Sequence, residues 1–521
     1  MSESLDPGFL EECEREALHR IGAVQPYGAL LGGSAGDATV RFASADLDDW
    51  VGQPAAEVLG QGLEVLLQAL AVDQADALAV AVAAMAPQPA PVIQAEKRLL
   101  PALLRGRHGD MDAFICCGED TWLIELQPAL PPELRHKAYQ PVPHGLYRMP
   151  QSLDEWEQQC RFLADQMRAG SGFERVMVYR FRDDGSGEVI AESAADGLAP
   201  YLGLRYPAAD IPQIARNLYL ANRHRQIPDV ASEPVAILCA NEQAPDLTLS
   251  DLRAVSPVHI QYLKNMGVTA SLSFPVVLNR RLWGLIACHH RRPRALPLPV
   301  RERCAEMVQV FALGLSGYQT SRRLKALTTT DRDIERLIHG IRGLESGREP
   351  SYRLGEALLE LVGAGGAALL EDGVPGMLLF GRTPDPDAIH AQLNWLRSTQ
   401  SEPIFATDAL STLLPVAASS KDQASGLLAV RVGLFVDGVR RERTFLWWRP
   451  EQPQTVYWAG DPRKSALFDA QSRTLSPRSS FETWVETMSG HSEPWSETDL
   501  LTAKKFRGLI LRDINADLLR G

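Results

Sequence analysis

Residues 299–346 constrain this chain more than any other stretch. They carry Met307, Phe311, Leu315 and Tyr318 at three- and four-residue spacing, the repeat of one apolar face on an α-helix. The run is far longer than an ordinary globular helix, which makes it an interdomain or coiled-coil spine. Length points the same way, since 521 residues correspond to roughly three domains of about 150 residues each. His339 lies on this helix, but the Gly and Ile that follow it do not match a phospho-acceptor box, so it reads as an ordinary helical histidine.

Composition narrows the class. The chain is 45% apolar and 23% charged, with 53 basic against 65 acidic residues and a net charge of −12. That balance argues against a general nucleic-acid binder, which should be basic. The first residues lack a basic n-region and an apolar h-region, and the longest apolar run, residues 77–86, is about half a membrane span. Seven cysteines are an odd number, and no two have metal-site spacing; mostly free thiols in a reducing, cytoplasmic protein are the simplest account.

In chain order, residues 1–20 form a polar segment with Cys13 set among Glu11, Glu12, Glu14, Arg15 and Glu16. The acidic neighbours raise a thiol's pKa, so any reactivity at Cys13 requires a ligand held against it. Residues 21–127 alternate strand-like runs (28–31, 40–43, 113–117, 121–126) with an Ala-rich helical stretch at 65–86, as in a small mixed α/β sensor domain. Residues 128–150 are a proline-rich linker. A second domain, 151–315, opens on a helix capped by Ser152 and continues with a strand at 176–181. A helix then passes through Arg216, Tyr219 and Arg225, followed by a long loop at 228–256 with little periodicity. Residues 271–278 and 282–289 read as a hairpin turning at Asn279-Arg280, with Ser271 and Ser273 on one face. In Cys288-His289-His290, adjacent strand residues point to opposite faces, which discounts a metal site. After the spine at 316–346 comes a third domain, 347–510, in which Ser496-Glu497-Thr498-Asp499 is a capping-box pattern before a helix reaching Leu519, and then a terminal helical segment at 511–521.

The stretch Leu204-Arg205-Tyr206-Pro207-Ala208-Ala209-Asp210-Ile211-Pro212 stands out. Pro207 and Pro212 each fix one φ and bias the residue before them, so the backbone around Asp210 is stiff and its groups can be aimed. Alone, this would be a surface turn with a helix N-cap.

Two other stretches change that reading: Ser256-Pro257-Val258-His259-Ile260-Gln261-Tyr262-Leu263-Lys264-Asn265-Met266-Gly267, and Cys13 followed by Val24-Gln25-Pro26-Tyr27-Gly28. Together the three resemble the bilin-binding core of a bacterial phytochrome. The third domain adds Arg443–Glu451, Trp458-Ala459-Gly460-Asp461-Pro462 and Ser476-Pro477-Arg478-Ser479-Ser480-Phe481, which look like the tongue of a phytochrome-specific domain at about 443–484. Between these runs, Thr455-Val456-Tyr457-Trp458 favours a strand and 464–473 tolerates a helix. That ambiguity suits an element able to refold, although an aromatic-rich hairpin with no switching fits equally well.

The resemblance implies an α+β architecture of three mixed α/β sensor domains (PAS, GAF and PHY) joined by long helices. It also implies an N-terminal figure-eight knot, in which the first segment threads the 228–256 loop. The implied cofactor is biliverdin IXα; the plant and cyanobacterial attachment position is Val258 here, so the resemblance implies linkage at Cys13 or none. Arg225, Arg253, Tyr219 and Ser256 stand where the family binds one propionate, and Ser271, Ser273 and His259 where it binds the other. The Asp210 carbonyl, with Ile211 and Pro212 beside it, matches the pyrrole acceptor. His259 is similar to the histidine over the ring nitrogens, His289 to the one holding the isomerising ring's carbonyl, and Tyr179, Tyr206, Tyr262 and Met177 to that ring's walls. Arg478, Ser480 and Trp458 match tongue positions, with Arg478 pairing with Asp210.

The implied function is a red/far-red photoreceptor. The remaining alternatives are a bilin-metabolising enzyme and a non-photosensory small-ligand sensor on the same domains. A reductase would need a proton-donor carboxylate and a reductant site, and neither a ferredoxin nor a nicotinamide signature is present. No histidine-kinase signature occurs either, so the chain is a trimmed sensory core or has a non-catalytic output. The expected partners are a second copy, bundled through apolar stripes at residues 307–327 and 498–519, and a response regulator or output domain. Nucleic acid and membrane are not expected.

Overall fold

In a computed structural model, residues 17–240, 243–345, 352–436, 439–462, 466–469, 474–478 and 480–518 are described. They divide into two compact units, one holding the chain up to Tyr318 together with Tyr457–Trp484, the other Gln319–Val456 and Val485–Gly521.

The first unit contains two sheets. One is ordered Ala23–Val24, Val235–Cys239, Phe42–Ser44, Ala29–Ser34, Thr121–Pro128, Gly109–Cys117, Arg98–Gly106. Four short helices between Leu47 and Ala83 cover one face through Leu63, Leu66, Leu67 and Ala79. The Ala-rich stretch expected to be one helix is two, Leu63–Ala69 and Ala75–Ala83, because Ala71 and Gln74 between them take positive φ. Vicinal Cys116 and Cys117 point to opposite faces, one into each core.

The long loop at 228–256 is not structureless. It lends Val235–Cys239 to the first domain's sheet, pairing with Ala23–Val24 on one side and Phe42–Ser44 on the other. Its far limb also binds the N-terminal segment. Leu247 N–H donates to the His19 carbonyl at 2.7 Å, Gln25 N–H to that of Leu252 at 2.7 Å, and Ala254 N–H to that of Ala23 at 2.9 Å. Residues 19–25 therefore lie between two limbs of one loop. Backbone pairing cannot be read from hydropathy, and for that reason the loop looked aperiodic.

The second sheet runs Arg225–Ile227, Ala270–Leu278, Arg281–His290, Arg175–Phe181, Gly187–Ala194, Arg205–Tyr206, and Trp458 then pairs in parallel with Arg205. The expected helix through Arg225 ends earlier, at Ala221, and Arg225 begins a strand opposite Ser273. Ser152 caps the helix Leu153–Ser171, its hydroxyl accepting from Glu155 N–H. Asn279 and Arg280 both have positive φ, 49° and 62°, the turn that matches hairpin twist. Strand alternation divides this sheet cleanly. Val176, Val178, Leu272, Phe274, Ile286 and Cys288 pack against the Leu153–Ser171 helix and the first half of the long helix Leu298–Glu345. Met177, Tyr179, Ser271, Ser273, Ala287 and His289 face the other way, into a cavity.

Met307, Phe311, Leu315 and Tyr318 of the long helix belong to this same core. As far as Tyr318 the apolar stripe expected to bundle two chains thus packs within one, and Leu313 and Leu324 are the exposed large apolar residues among the helix's described side chains.

The second unit holds a five-stranded antiparallel sheet, Leu378–Gly381, Gly366–Glu371, Val439–Arg449, Gly426–Val436, Ile404–Thr407. Trp447 and Trp448 are fully buried on its two faces, donating to the Leu358 carbonyl and to Gln392 Oε1, each at 2.8 Å. Residues 443–449 are therefore a central strand, not part of a tongue as expected: an aromatic pair alternating between two cores looks the same in sequence as an exposed aromatic hairpin. The helix Glu497–Leu518 opens on the expected capping box, with Ser496 N–H donating to Asp499 Oδ2 at 2.8 Å and Asp499 N–H to Ser496 Oγ at 3.1 Å. Ala503, Phe506 and Ile510 of that helix are core, so its stripe is also used within the chain.

Candidate functional site

The cavity, of about 220 Å³, lies wholly in the first unit. It is walled by the sheet face described above, by the helices Gln213–Ala221 and Pro257–Asn265, and by the segment joining Tyr206 to Pro212. Asp210 ends a single 3-10 turn set by Pro207. Its carboxylate is not a helix cap, since Pro212 is the N-cap residue of the next helix and no side chain caps it.

Every residue assigned from sequence to the ligand pocket lines this cavity, apart from Cys13, which lies outside the described residues. Met177, Tyr179 and Tyr206 sit at one end, with Asp210, Ile211 and Pro212 beside them; Tyr219, Arg225, Arg253 and Ser256 line it too, as do His259, Tyr262, Ser271, Ser273 and His289. Residues spread over more than a hundred positions converge because each strand presents alternate side chains and each helix one face.

Arg225 and Arg253 bring two guanidinium groups to the cavity lining. The Arg225 guanidinium donates to the backbone carbonyls of Asp251, Arg253 and Ala254 at 3.1, 2.5 and 3.0 Å. Arg253 donates to the Leu18 carbonyl at 3.1 Å, and its Nε has no partner among the described residues. Burial lowers the pKa of both guanidinium groups, and Arg225 lowers that of Arg253 further. The nearby carboxylate of Asp251 is committed elsewhere, 2.6 Å from Lys97 Nζ and 3.7 Å from His224 Nε2. Among the described residues both guanidinium groups bond only neutral carbonyls, so the pair is suited to an anion as its complement.

Around Met177, Tyr179, Tyr206 and Ile211 the lining is apolar, with spare polar atoms. Tyr206 Oη and His289 Nδ1 are buried without hydrogen-bond partners among the described residues. Burial, with Arg175 and His259 adding to it, holds the His289 imidazole down to about 3. Burial and Arg225 hold His259 down to about 4. His259 stacks on Tyr262 with ring centroids 5.9 Å apart. Both histidines are therefore neutral at pH 7 and present one donor and one acceptor nitrogen each.

Asp210 Oδ2 accepts from Tyr262 Oη at 2.8 Å and pairs with Arg478, whose other nitrogen donates to the Ala459 carbonyl. Burial pushes the Asp210 carboxyl up, and Arg478 and Tyr262 offset part of that rise. Arg478 is seated over Phe481, 4.6 Å to the ring centroid, and over Tyr206 and Tyr262 at 5.5 and 5.9 Å. Ser480 is exposed, unlike buried Arg478, and Trp458 joins the sheet beside Arg205 without lining the cavity. The Arg478 pairing expected from sequence is present; a Ser480 contact to Asp210 is not in this arrangement.

Several residues that shape the site carried no sequence signal. His224 lines the cavity and bridges Asp251 to Glu302 of the long helix, 3.1 Å away. Lys97 reaches in from the first domain. Arg216 collects the carbonyls of Ile211 and Gly185 at 2.7 and 2.6 Å and so fixes the Asp210 turn. Such contacts span long sequence separations and leave no periodicity. Among the described residues no group of three or more His, Cys, Asp or Glu is placed to hold a metal, and no helix is long and apolar enough to cross a membrane.

Comparison with known proteins matches three family models along the chain: the PAS fold over residues 13–128, the GAF domain over 155–316 and the phytochrome region over 335–517. The chain is 32% identical over 510 residues to cyanobacterial phytochrome B of Nostoc sp., covering 96% of this chain and 66% of that protein. It is 33% identical over 532 residues to a bacteriophytochrome of Xanthomonas campestris pv. campestris, covering 98% and 80%. The crystal structure of a bacteriophytochrome from the photosynthetic bacterium R. palustris aligns with TM-score 0.78 and 32% identity, over 97% of this chain and 99% of that one. The chain thus spans about two thirds of the length of the first of these relatives.

Proposed function

Given that this chain belongs to the phytochrome family, we propose that it is a red/far-red light photoreceptor whose cavity binds a bilin, biliverdin IXα, linked covalently through Cys13. The observation that carries this reading is the pair Arg225 and Arg253, with no carboxylate bonded to either guanidinium among the described residues, in a cavity also lined by the apolar cluster of Met177, Tyr179, Tyr206 and Leu285. A linear tetrapyrrole has that polarity: two propionates on a flat apolar body. The spare atoms of His289 and Tyr206 fit its terminal lactam ring as donor or acceptor.

When bound, the bilin supplies a light-driven double-bond isomerisation. The protein's residues do the rest. Arg225 and Arg253, with Tyr219 and Ser256, hold one propionate by charge-assisted hydrogen bonds; Ser271, Ser273 and neutral His259 hold the other. The Asp210 carbonyl would accept from the pyrrole N–H groups, while the carboxylate of the same residue is engaged by Tyr262 and Arg478. Tyr179, Tyr206, Tyr262 and Met177 wall the end at which His289 holds the ring carbonyl. Because Asp210 and Arg478 are both buried, their ion pair favours whichever tongue arrangement preserves it, and so couples the cavity to residues 457–484. Among the described residues the same occupation of the Asp210 carboxylate leaves no free acid lining the cavity for reductive chemistry, which favours a receptor over a bilin-metabolising enzyme.

The tongue change would pass through the helical elements to an output module or response regulator in the cytoplasm. A homodimer would have to use exposed positions such as Leu313 and Leu324. The test is the absorbance spectrum of the chain expressed with biliverdin, before and after red light, beside a zinc-stained denaturing gel. A red-absorbing band that photoconverts, with the gel signal lost in Cys13→Ala, supports the reading. A colourless protein would end it, and a coloured one that does not photoconvert would leave a ligand sensor.

A further inference from the structure

Gly187 lies in the strand Gly187–Ala194 between two pairing partners, Phe181 on one side and Tyr206 on the other. Its φ is not positive, so the backbone there is open to any residue, and glycine is not needed for conformation. What the position uses is the missing side chain. A β-carbon on Gly187 would lie 1.8 Å from both Cζ and Oη of Tyr179 and 2.2 Å from its Cε1, well inside van der Waals contact. The Tyr179 phenol occupies the space where that side chain would be.

The ring is confined on its other sides. Phe181 meets it edge-on at 5.3 Å and Tyr206 at 5.8 Å. Leu285 pairs opposite Tyr179 in the neighbouring strand and is itself buried. The open volume beside the ring is the cavity, which Tyr179 lines.

We propose that Gly187 is the positioning residue that seats Tyr179 against the sheet, and that any side chain there drives the phenol into the cavity at its Met177/Tyr206 end. Gly187 touches no ligand; it sets the width of the end that faces the isomerising ring. This last consequence rests on the bilin reading above, whereas the seating itself does not.

A double-mutant cycle separates the two. Gly187→Ala, Tyr179→Leu and the double variant of the full chain are compared with the wild type, without ligand by Tm and with biliverdin by photoproduct yield and fluorescence. Without ligand, Gly187→Ala lowers Tm in the presence of Tyr179 and has much less effect beside Leu. With biliverdin, Gly187→Ala lowers photoproduct yield and raises fluorescence, and adds little once Tyr179 is Leu. A single variant that fails to fold beside a double variant that folds supports the seat equally. Equal Gly187→Ala effects in both backgrounds, no effect in either, or failure of both variants to fold would overturn it. If the wild type takes up no biliverdin, the bilin reading falls and the ligand-free cycle still decides the seat.

Discussion

Asp210 shows how much one residue's environment decides. Its carboxylate and Arg478 are both almost fully buried, so removing one partner strands the other's charge in a dry site. Arg478→Ala should destabilise the folded chain by about 3–5 kcal/mol, and Asp210→Ala should do so comparably. The two together should cost less than the sum of the singles, read as Tm differences. An additive result would mean the pair carries no coupling. The cavity histidines give a pH signature. In the unfolded chain an imidazole titrates near 6.5; in the folded chain His259 is held to about 4 and His289 to about 3. Between those limits the unfolded state binds more protons, so stability rises with pH. The ligand-free protein should lose Tm as pH falls from about 6.5 towards 4, with no contribution from these groups above neutrality. Replacing both with Phe should flatten that acid limb. An unchanged limb in the double variant would place its origin elsewhere.

At the scale of elements, the sheet around the cavity works by period two. The residues legible as strands were also legible as two faces, and the structure sends one face to the core and the other to the cavity. The turn between Ala270–Leu278 and Arg281–His290 pays a conformational cost, because Arg280 adopts φ 62° with a side chain. Arg280→Gly should stabilise by about 1 kcal/mol, visible as a higher Tm; a drop would show that the Arg280 side chain contributes more than its strain costs. In the tongue the opposite holds. Gly460 has φ 92°, and a β-carbon there would lie 2.3 Å from the Ser480 carbonyl oxygen and 3.2 Å from Arg478 Nη1. Gly460→Ala should therefore displace Arg478 from Asp210 and mimic Arg478→Ala in Tm and photoconversion. Wild-type behaviour would show that the tongue backbone adjusts freely.

Across the whole molecule, apolar stripes that look like docking faces in the sequence turn out to be internal. Met307, Phe311, Leu315 and Tyr318 face their own unit's core, as do Ala503, Phe506 and Ile510 in the other. Helical periodicity reports that a face is buried, not what buries it. Among the described side chains of the long helix, Leu313 and Leu324 are the large apolar ones open to a second copy. Leu313→Glu with Leu324→Glu should convert a dimer to a monomer in light scattering at micromolar concentration, leaving Tm nearly unchanged. A dimer that survives both substitutions would use another surface.

Local sequence was enough for the helices with strong apolar repeats, the hairpin at Asn279-Arg280, the caps at Ser152 and Ser496, and the proline-fixed turn at Asp210, because each is decided by neighbours within a few residues. Motif resemblance also gathered the cavity residues from Met177 to His289. Long-range folding was needed to show that 228–256 supplies a strand to the first domain and encloses residues 19–25 between its limbs. It was also needed to show that Trp447 and Trp448 divide two cores, that the Ala-rich stretch breaks in two, that Arg216 and His224 organise the site, and that Gly187 yields its space to Tyr179. Those features depend on backbone pairing, desolvation and steric overlap between residues far apart in the chain, and none of these is encoded in local periodicity.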